Sequence, residues 1–255
     1  MTNGPEKTSE TKTARTGRRR PIPSRPPTVG EIAFYRACRA IVVGVSRTFF
    51  PGRVIGAENL PETGPYVLAP VHRSYLDWML VARVTKRRLR YMAKAEIWGS
   101  KIVGRLVEAL GAFPVNRSGA DREALERSRA VLAGGEPLVM FPEGTRRSGA
   151  SVAELREGVA YLALRAGVPI VPVGIGGAER AMPRGSVLPR PRRIDIVIGA
   201  PIGPGAPPSE AGRVSRKATT ALSDELRAAI QRNFEAAEAS LAEPRLALLK
   251  GRRGL

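Results

Sequence analysis

Cysteine and histidine are almost missing from this chain: 255 residues include one of each. Cys38 therefore has no partner for an intramolecular disulfide, and a multi-cysteine zinc site is excluded. With a single imidazole as well, the chain lacks the ligand set of a protein-built zinc centre. Aromatic residues are few (six Phe, five Tyr and two Trp). The core must then be drawn from Val, Leu, Ile and Ala, and stacking platforms for single-stranded nucleic acid are scarce. No apolar run follows the basic start, so no signal peptide is expected. The most hydrophobic long stretch, residues 31–50, carries Arg36, Arg39 and Arg47 and makes a poor bilayer-spanning segment. There is no glycine-rich dinucleotide fingerprint and no phosphate loop ending in Gly-Lys-Ser/Thr.

Acids are outnumbered. Lys and Arg total 42 against 23 Asp and Glu, a formal charge of +19. Such a chain is drawn to something anionic: nucleic acid, anionic lipid or a phosphorylated substrate. Residues 1–30 carry seven Lys or Arg against two Glu, with few aliphatics. They cannot bury enough surface to offset the entropy of ordering and are expected to form a disordered basic tail. The end, residues 243–255, has Arg245, Lys250, Arg252 and Arg253 and reads as a second basic tail. Within residues 31–50, helical spacing puts Arg36, Arg39 and Arg47 within an arc of about 80°. Phe34, Cys38, Ile41, Val42, Val45 and Phe49 gather opposite. This is an amphipathic helix, one that lies in a membrane interface or packs on the domain.

Residues 51–242 alternate strands and helices. Apolar runs at 66–69, 90–93, 111–115, 138–141, 168–173 and 193–198 read as strands. The patterns at 76–84, 97–110, 118–133, 153–166 and 209–239 read as helices. Ser118, with Asp121 three residues on, is an N-cap signal. The two prolines of Val168-Pro169-Ile170-Val171-Pro172-Val173 suggest irregular or edge pairing for that strand. The alternation predicts one α/β domain, a mixed, largely parallel sheet flanked by helices, preceded by the amphipathic helix.

Three strands end in polar residues that do not read as packing. The first runs into Val71-His72-Arg73-Ser74-Tyr75-Leu76-Asp77, the second into Arg117, and the third into Pro142-Glu143-Gly144-Thr145-Arg146-Arg147. Binding and catalytic groups collect at the carboxyl ends of strands in such sheets. If these ends converge, one pocket holds an imidazole, a carboxylate to orient it and two guanidinium groups suited to phosphate. Glycine at 144 permits a tight turn or a close backbone approach. The set fits a phosphate-bearing substrate with a hydroxyl that must lose a proton.

These blocks resemble the glycerolipid acyltransferases, the 1-acylglycerol-3-phosphate acyltransferases and their relatives. Four blocks carry the likeness, in order: His72 to Asp77, Gly111 to Arg117, Phe141-Pro142-Glu143-Gly144-Thr145-Arg146, and Val168 to Val173. Leu155 to Ala160 resembles a further segment, and the likeness covers roughly residues 50–200. The resemblance implies that His72 is a general base oriented by Asp77. It implies that Arg117 and Arg146 bind the substrate phosphate in a pocket shaped by Glu143, Gly144 and Thr145, and that Pro172 belongs to the acyl-donor or acyl-chain surface. It implies acyl transfer from acyl-CoA, or an acyl carrier protein, to the sn-2 hydroxyl of lysophosphatidic acid, giving phosphatidic acid. No metal and no covalent acyl-enzyme is needed. Val71 stands where many relatives have Asn, and Arg147 where Ser is common. The basic tails and the 31–50 helix would hold the protein at the cytoplasmic face of the cell membrane, against anionic lipid.

Two other readings fit part of this pattern. A relative of the same family could acylate glycerol-3-phosphate, another lysophospholipid or a glycolipid, since His72 and Asp77 do not distinguish acceptors. A basic membrane- or nucleic-acid-binding protein would explain the charge but not the polar strand ends, and no nucleic-acid-binding motif is present.

Overall fold

The structure, a computed structural model, describes residues 28–115, 121–204 and 214–243. Most of both expected tails, the Ser118 cap, Arg117 and the stretch 205–213 lie outside the described residues.

Among the described residues, seven strands form one sheet in the order β1-β7-β6-β2-β5-β3-β4. They are β1 (Val54–Ile55), β2 (Val67–Pro70), β3 (Arg90–Lys94), β4 (Ala112–Val115), β5 (Leu138–Val139), β6 (Ile170–Gly176) and β7 (Asp195–Ile198). Every pairing is parallel except β6 with β7. The mixed, largely parallel sheet expected from the sequence is therefore present. Val67, Leu68 and Ala69, and Ile170, Val171 and Val173, are fully buried, as strands covered on both faces must be.

The helices are α1 (Val29–Phe49), α2 (Asp77–Val81), α3 (Lys101–Ala109), α4 (Asp121–Ala133), α5 (Gly158–Ala166), α6 (Ala178–Ala181) and α7 (Arg216–Ser240). α1 opens with a capping box between Thr28 and Glu31. The 97–110 pattern is split. A 3₁₀ turn covers Ala95–Gly99, and Ser100 then caps α3 by accepting from the Val103 N–H. α5 begins five residues later than its periodicity suggests. The backbone of residues 150–153 is tied elsewhere: Val152 N–H donates to Gln231, Ala153 N–H to Glu143, and the Val152 carbonyl accepts from Arg227. Tertiary bonds here override local helix preference.

β6 corrects a second expectation. Despite its prolines it is an interior strand, between β2 and β7. Pro172 directs its missing donor toward β7, where that strand has just ended: Gly199 N–H donates to the Pro172 carbonyl, and antiparallel pairing resumes only between Ile170 and Ile202. α7 then packs directly on β6. A Cβ at Gly174 would collide with the backbone of Asn233, and one at Gly176 with that of Ala237.

Asp195 ties three ends together. Its buried carboxylate accepts from the Arg53 N–H at 2.8 Å, from Arg193 at 2.7 Å and from Ser240 Oγ at 2.7 Å. Burial is the largest single influence and pushes the carboxyl upward; the hydrogen bonds from Arg193, Arg53 and Ser240 together outweigh it and hold the carboxyl below its ordinary value. A lowered folded-state pKa contributes stability that is present above the unfolded value of about 3.9 and is lost as pH falls through the folded one. Thermal unfolding across pH should therefore show Asp195→Asn less stable than wild type at neutral pH, the gap closing in acid. A gap that stays constant down to strong acid would contradict this account.

Candidate active site

β2 and β5 are parallel neighbours, with Leu68 opposite Val139. Four residues beyond that pair the chains have left the sheet, and there stand His72 and Glu143. The register alone brings the first and third polar blocks together. β3 and β4 end at the same edge, at Lys94 and Val115. Arg117 lies outside the described residues.

The loop from His72 to Asp77 is folded around one carboxylate oxygen. Asp77 Oδ2 accepts from His72 Nδ1 at 2.8 Å, from the Arg73 N–H at 2.7 Å and from the Ser74 N–H at 2.8 Å. The Asp77 side chain is fully buried, while the His72 side chain keeps 21% exposure. A buried carboxylate is tolerated only when donors surround it. Beside an ionised carboxylate Nδ1 is the protonated nitrogen, which leaves Nε2 with its lone pair free. The imidazole stacks on Phe141, ring centres 4.1 Å apart and planes 26° from parallel. Phe141 thus forms one wall for the ring.

Glu143 is fully buried and spoken for. Its oxygens accept from Arg73 Nη1 at 2.9 Å, from the His72 N–H at 3.0 Å and from the Ala153 N–H at 3.2 Å. Gly144 turns the chain at φ +69°, and a Cβ there would overlap the Arg156 guanidinium. Thr145 is exposed. Arg146 is half-buried, its guanidinium carbon 3.1 Å from the centre of the Tyr75 ring, a close cation–π contact.

A cavity of about 750 Å³ opens beside the imidazole. His72, Ser128, Arg156, Glu157, Arg216 and Thr219 supply the polar groups of its wall, with Pro142 and Gly144 beside the imidazole. Met92, Val115, Leu125, Met140, Phe141 and Val159 line the apolar part, between the sheet and α4 and α5. The size and lining suit a small, largely apolar ligand with one polar end. His72 and Gly144 line it; Glu143, Thr145 and Arg146 do not. Pro172 is also elsewhere: it is buried under α7, its carbonyl bonded by Gly199 and Asn233.

Sequence reasoning assigned no role to Arg73, Tyr75, Arg156 or Arg216. Arg156 sits in a block already noted for its resemblance, so a signal existed for it. The partners of Arg73 and Tyr75 are some seventy residues away in the chain, and nothing local marks them.

Residues 52–176 match the family model described as Acyltransferase. Over 162 residues the chain is 32% identical to a 1-acyl-sn-glycerol-3-phosphate acyltransferase of Chlamydomonas reinhardtii, covering 61% of this chain and 48% of that one. Over 151 residues it is 28% identical to the Bacillus subtilis protein of the same name, covering 59% and 73%. The chain thus spans about half the length of the first of these relatives. The crystal structure of the 1-acyl-sn-glycerophosphate (LPA) acyltransferase of Thermotoga maritima superimposes with a TM-score of 0.62 at 23% identity, covering 82% of this chain and 79% of that one, a likeness of fold.

Substituting Gly144 tests the turn. Gly144→Ala places a side chain at positive φ and against Arg156, and chemical denaturation should register a loss of about 1–2 kcal/mol. An unchanged midpoint would mean that the turn tolerates a Cβ and that the close approach is not required.

Proposed function

Because the chain belongs to the Acyltransferase family, we propose that it transfers a fatty acyl group from acyl-CoA, or from an acyl carrier protein, to the sn-2 hydroxyl of 1-acylglycerol-3-phosphate, giving phosphatidic acid. The observation that carries this reading is the His72–Asp77 pair, with its imidazole in the wall of a cavity that is apolar on one side and holds Arg156 and Arg216, with Glu157, on the other.

In this reading His72 Nε2 takes the proton of the acceptor hydroxyl as its oxygen attacks the thioester carbonyl. The Asp77 carboxylate holds the ring in that tautomer and stabilises the imidazolium that forms. The tetrahedral intermediate collapses, the C–S bond breaks, and the imidazolium returns the proton to the departing thiolate. The N–H groups of His72, Arg73 and Ser74 are already committed to carboxylates. The oxyanion must therefore find other donors. The fatty chain occupies the apolar part of the cavity. The acceptor phosphate meets the arginines: Arg156 in the cavity wall, Arg146 braced on Tyr75, and Arg117 from the segment after β4. Glu143 and Thr145 shape the turn that presents Gly144.

The protein works at the cytoplasmic face of the cell membrane, lying on anionic lipid. No helix among the described residues is long and apolar enough to cross a membrane. Instead α1 turns Tyr35, Val43 and Ser46 toward the domain and leaves a stripe of Phe34, Ile41, Val45 and Phe49 facing outward, Ile41 at 68% exposure. α3, in contact with α1, adds Ile102 at 82% exposure and Leu106. Exposed Arg36, Arg47, Lys101 and Arg105 accompany them. Apolar residues flanked by cations suit an interface of anionic head groups.

Purified protein given labelled oleoyl-CoA and lysophosphatidic acid should form phosphatidic acid, and His72→Ala should lower the rate by at least about 10²-fold. No product with any lysophospholipid, glycerol-3-phosphate or glycolipid acceptor, from either donor, would sink the proposal. In vesicle flotation the protein should rise with phosphatidylglycerol vesicles more than with neutral phosphatidylcholine. The double variant Ile41→Asp, Ile102→Asp should weaken that binding by about tenfold or more. Equal binding by the variant would remove this face from the membrane contact.

A further inference from the structure

We propose that Arg73 is a positioning residue for the imidazole, acting through Glu143. The inference extends the acyl-transfer reading to residues that touch neither substrate nor cavity. Arg73 is 1% exposed. Its Nη1 donates to both oxygens of Glu143 at 2.9 Å and to the carbonyl of His72 at 3.2 Å. Its Nη2 donates to the Ser151 carbonyl at 2.9 Å. The guanidinium carbon lies 5.0 Å from the centre of the Phe234 ring on α7.

The peptide groups of His72 are therefore held on both sides. Its N–H is taken by Glu143; its carbonyl accepts from Arg73 and from the Arg147 N–H. Asp77 fixes the ring plane, but only through the same short loop. Without the Arg73–Glu143 pair the loop would keep the Arg147 N–H bond to the His72 carbonyl and the Ser74 Oγ bond to the Met182 carbonyl, but the His72 N–H would lose its fixed acceptor. Burying an ion pair costs several kcal/mol of desolvation, and apolar residues of similar volume stabilise a fold as well or better. What the pair supplies instead is direction. A fork of planar donors reaches Glu143, His72 and Ser151 at once, which an ammonium on a flexible stem does not. Phe234 and the Gln231 bond to Val152 bring α7 behind it, so the helix nearest the end of the fold supports the loop nearest its start.

The single histidine of the chain makes this testable, because a tag-free protein has one imidazole in its spectrum. Three variants serve: Arg73→Lys; Glu143→Gln, which keeps the shape; and the neutral pair Arg73→Gln with Glu143→Gln, which removes both buried charges together. Each is measured for cooperative unfolding, for kcat and KM with oleoyl-CoA and lysophosphatidic acid, and for the imidazole nitrogen signals. A misplacement of the base by about 1 Å costs up to about 10²-fold in rate. The folded variants should lose about 10- to 100-fold in kcat with KM held within about twofold. Their imidazole signals should move from one tautomer toward a mixture. Wild-type kcat and unchanged signals would overturn the proposal, as would a raised KM with kcat intact, which would make the pair a substrate contact. Lower stability with an unchanged imidazole spectrum would reduce the pair to a structural role. If all three variants fail to fold, the pair serves the fold and the proposal falls. The spectrum needs no substrate, so it decides the role of Arg73 even if the wild type transfers no acyl group.

Discussion

One carboxylate oxygen organises the functional edge of this protein. Asp77 Oδ2 receives two backbone N–H groups and one imidazole nitrogen, and the loop between β2 and α2 takes its shape around it. Removing a charged acceptor from water is costly, so a buried carboxylate is stable only where the chain has wrapped donors about it. The same bonds that make the loop stable choose the tautomer of His72. Stability and chemistry here are one constraint.

The sheet brings the second half of the site. Parallel pairing of β2 with β5 fixes the relative height of His72 and Glu143, and a slip of one residue would reverse every side chain beyond it. Around that register the charges divide by depth. Arg73 and Glu143 are sealed inside and hold backbone; Arg156 and Arg216 face the cavity; Arg146 rests on Tyr75 at the surface. The large positive charge visible in composition thus separates into buried, cavity-lining and surface parts, which a sum cannot distinguish.

Much of this was legible in the sequence. The strands were marked by apolar runs, and His72 and Asp77 by their spacing at the exit of one of them. The α/β layering followed from the alternation of elements. Three features were hidden because they rest on tertiary contacts. The delayed start of α5 depends on Gln231, Arg227 and Glu143 binding the backbone before it. The interior place of β6, with Pro172 in it, depends on where β7 stops. Glu143 was read as lining a substrate pocket, and its burial against Arg73 depends on a pair seventy residues apart. The side of α1 that faces outward was also open from periodicity alone: Phe34, Ile41 and Val45 form the apolar stripe, yet Tyr35 and Val43 beside them are what the domain takes in.

The measurement closest to the centre of this account is the nitrogen spectrum of the lone imidazole in the unmodified, tag-free protein, at about pH 8.5, where an ordinary histidine is neutral. The account predicts a single species with Nδ1 protonated and hydrogen-bonded, and Nε2 bare. A spectrum dominated by the Nε2–H tautomer, or by rapid exchange between the two, would contradict it, because no lone pair would then be held ready to take a proton.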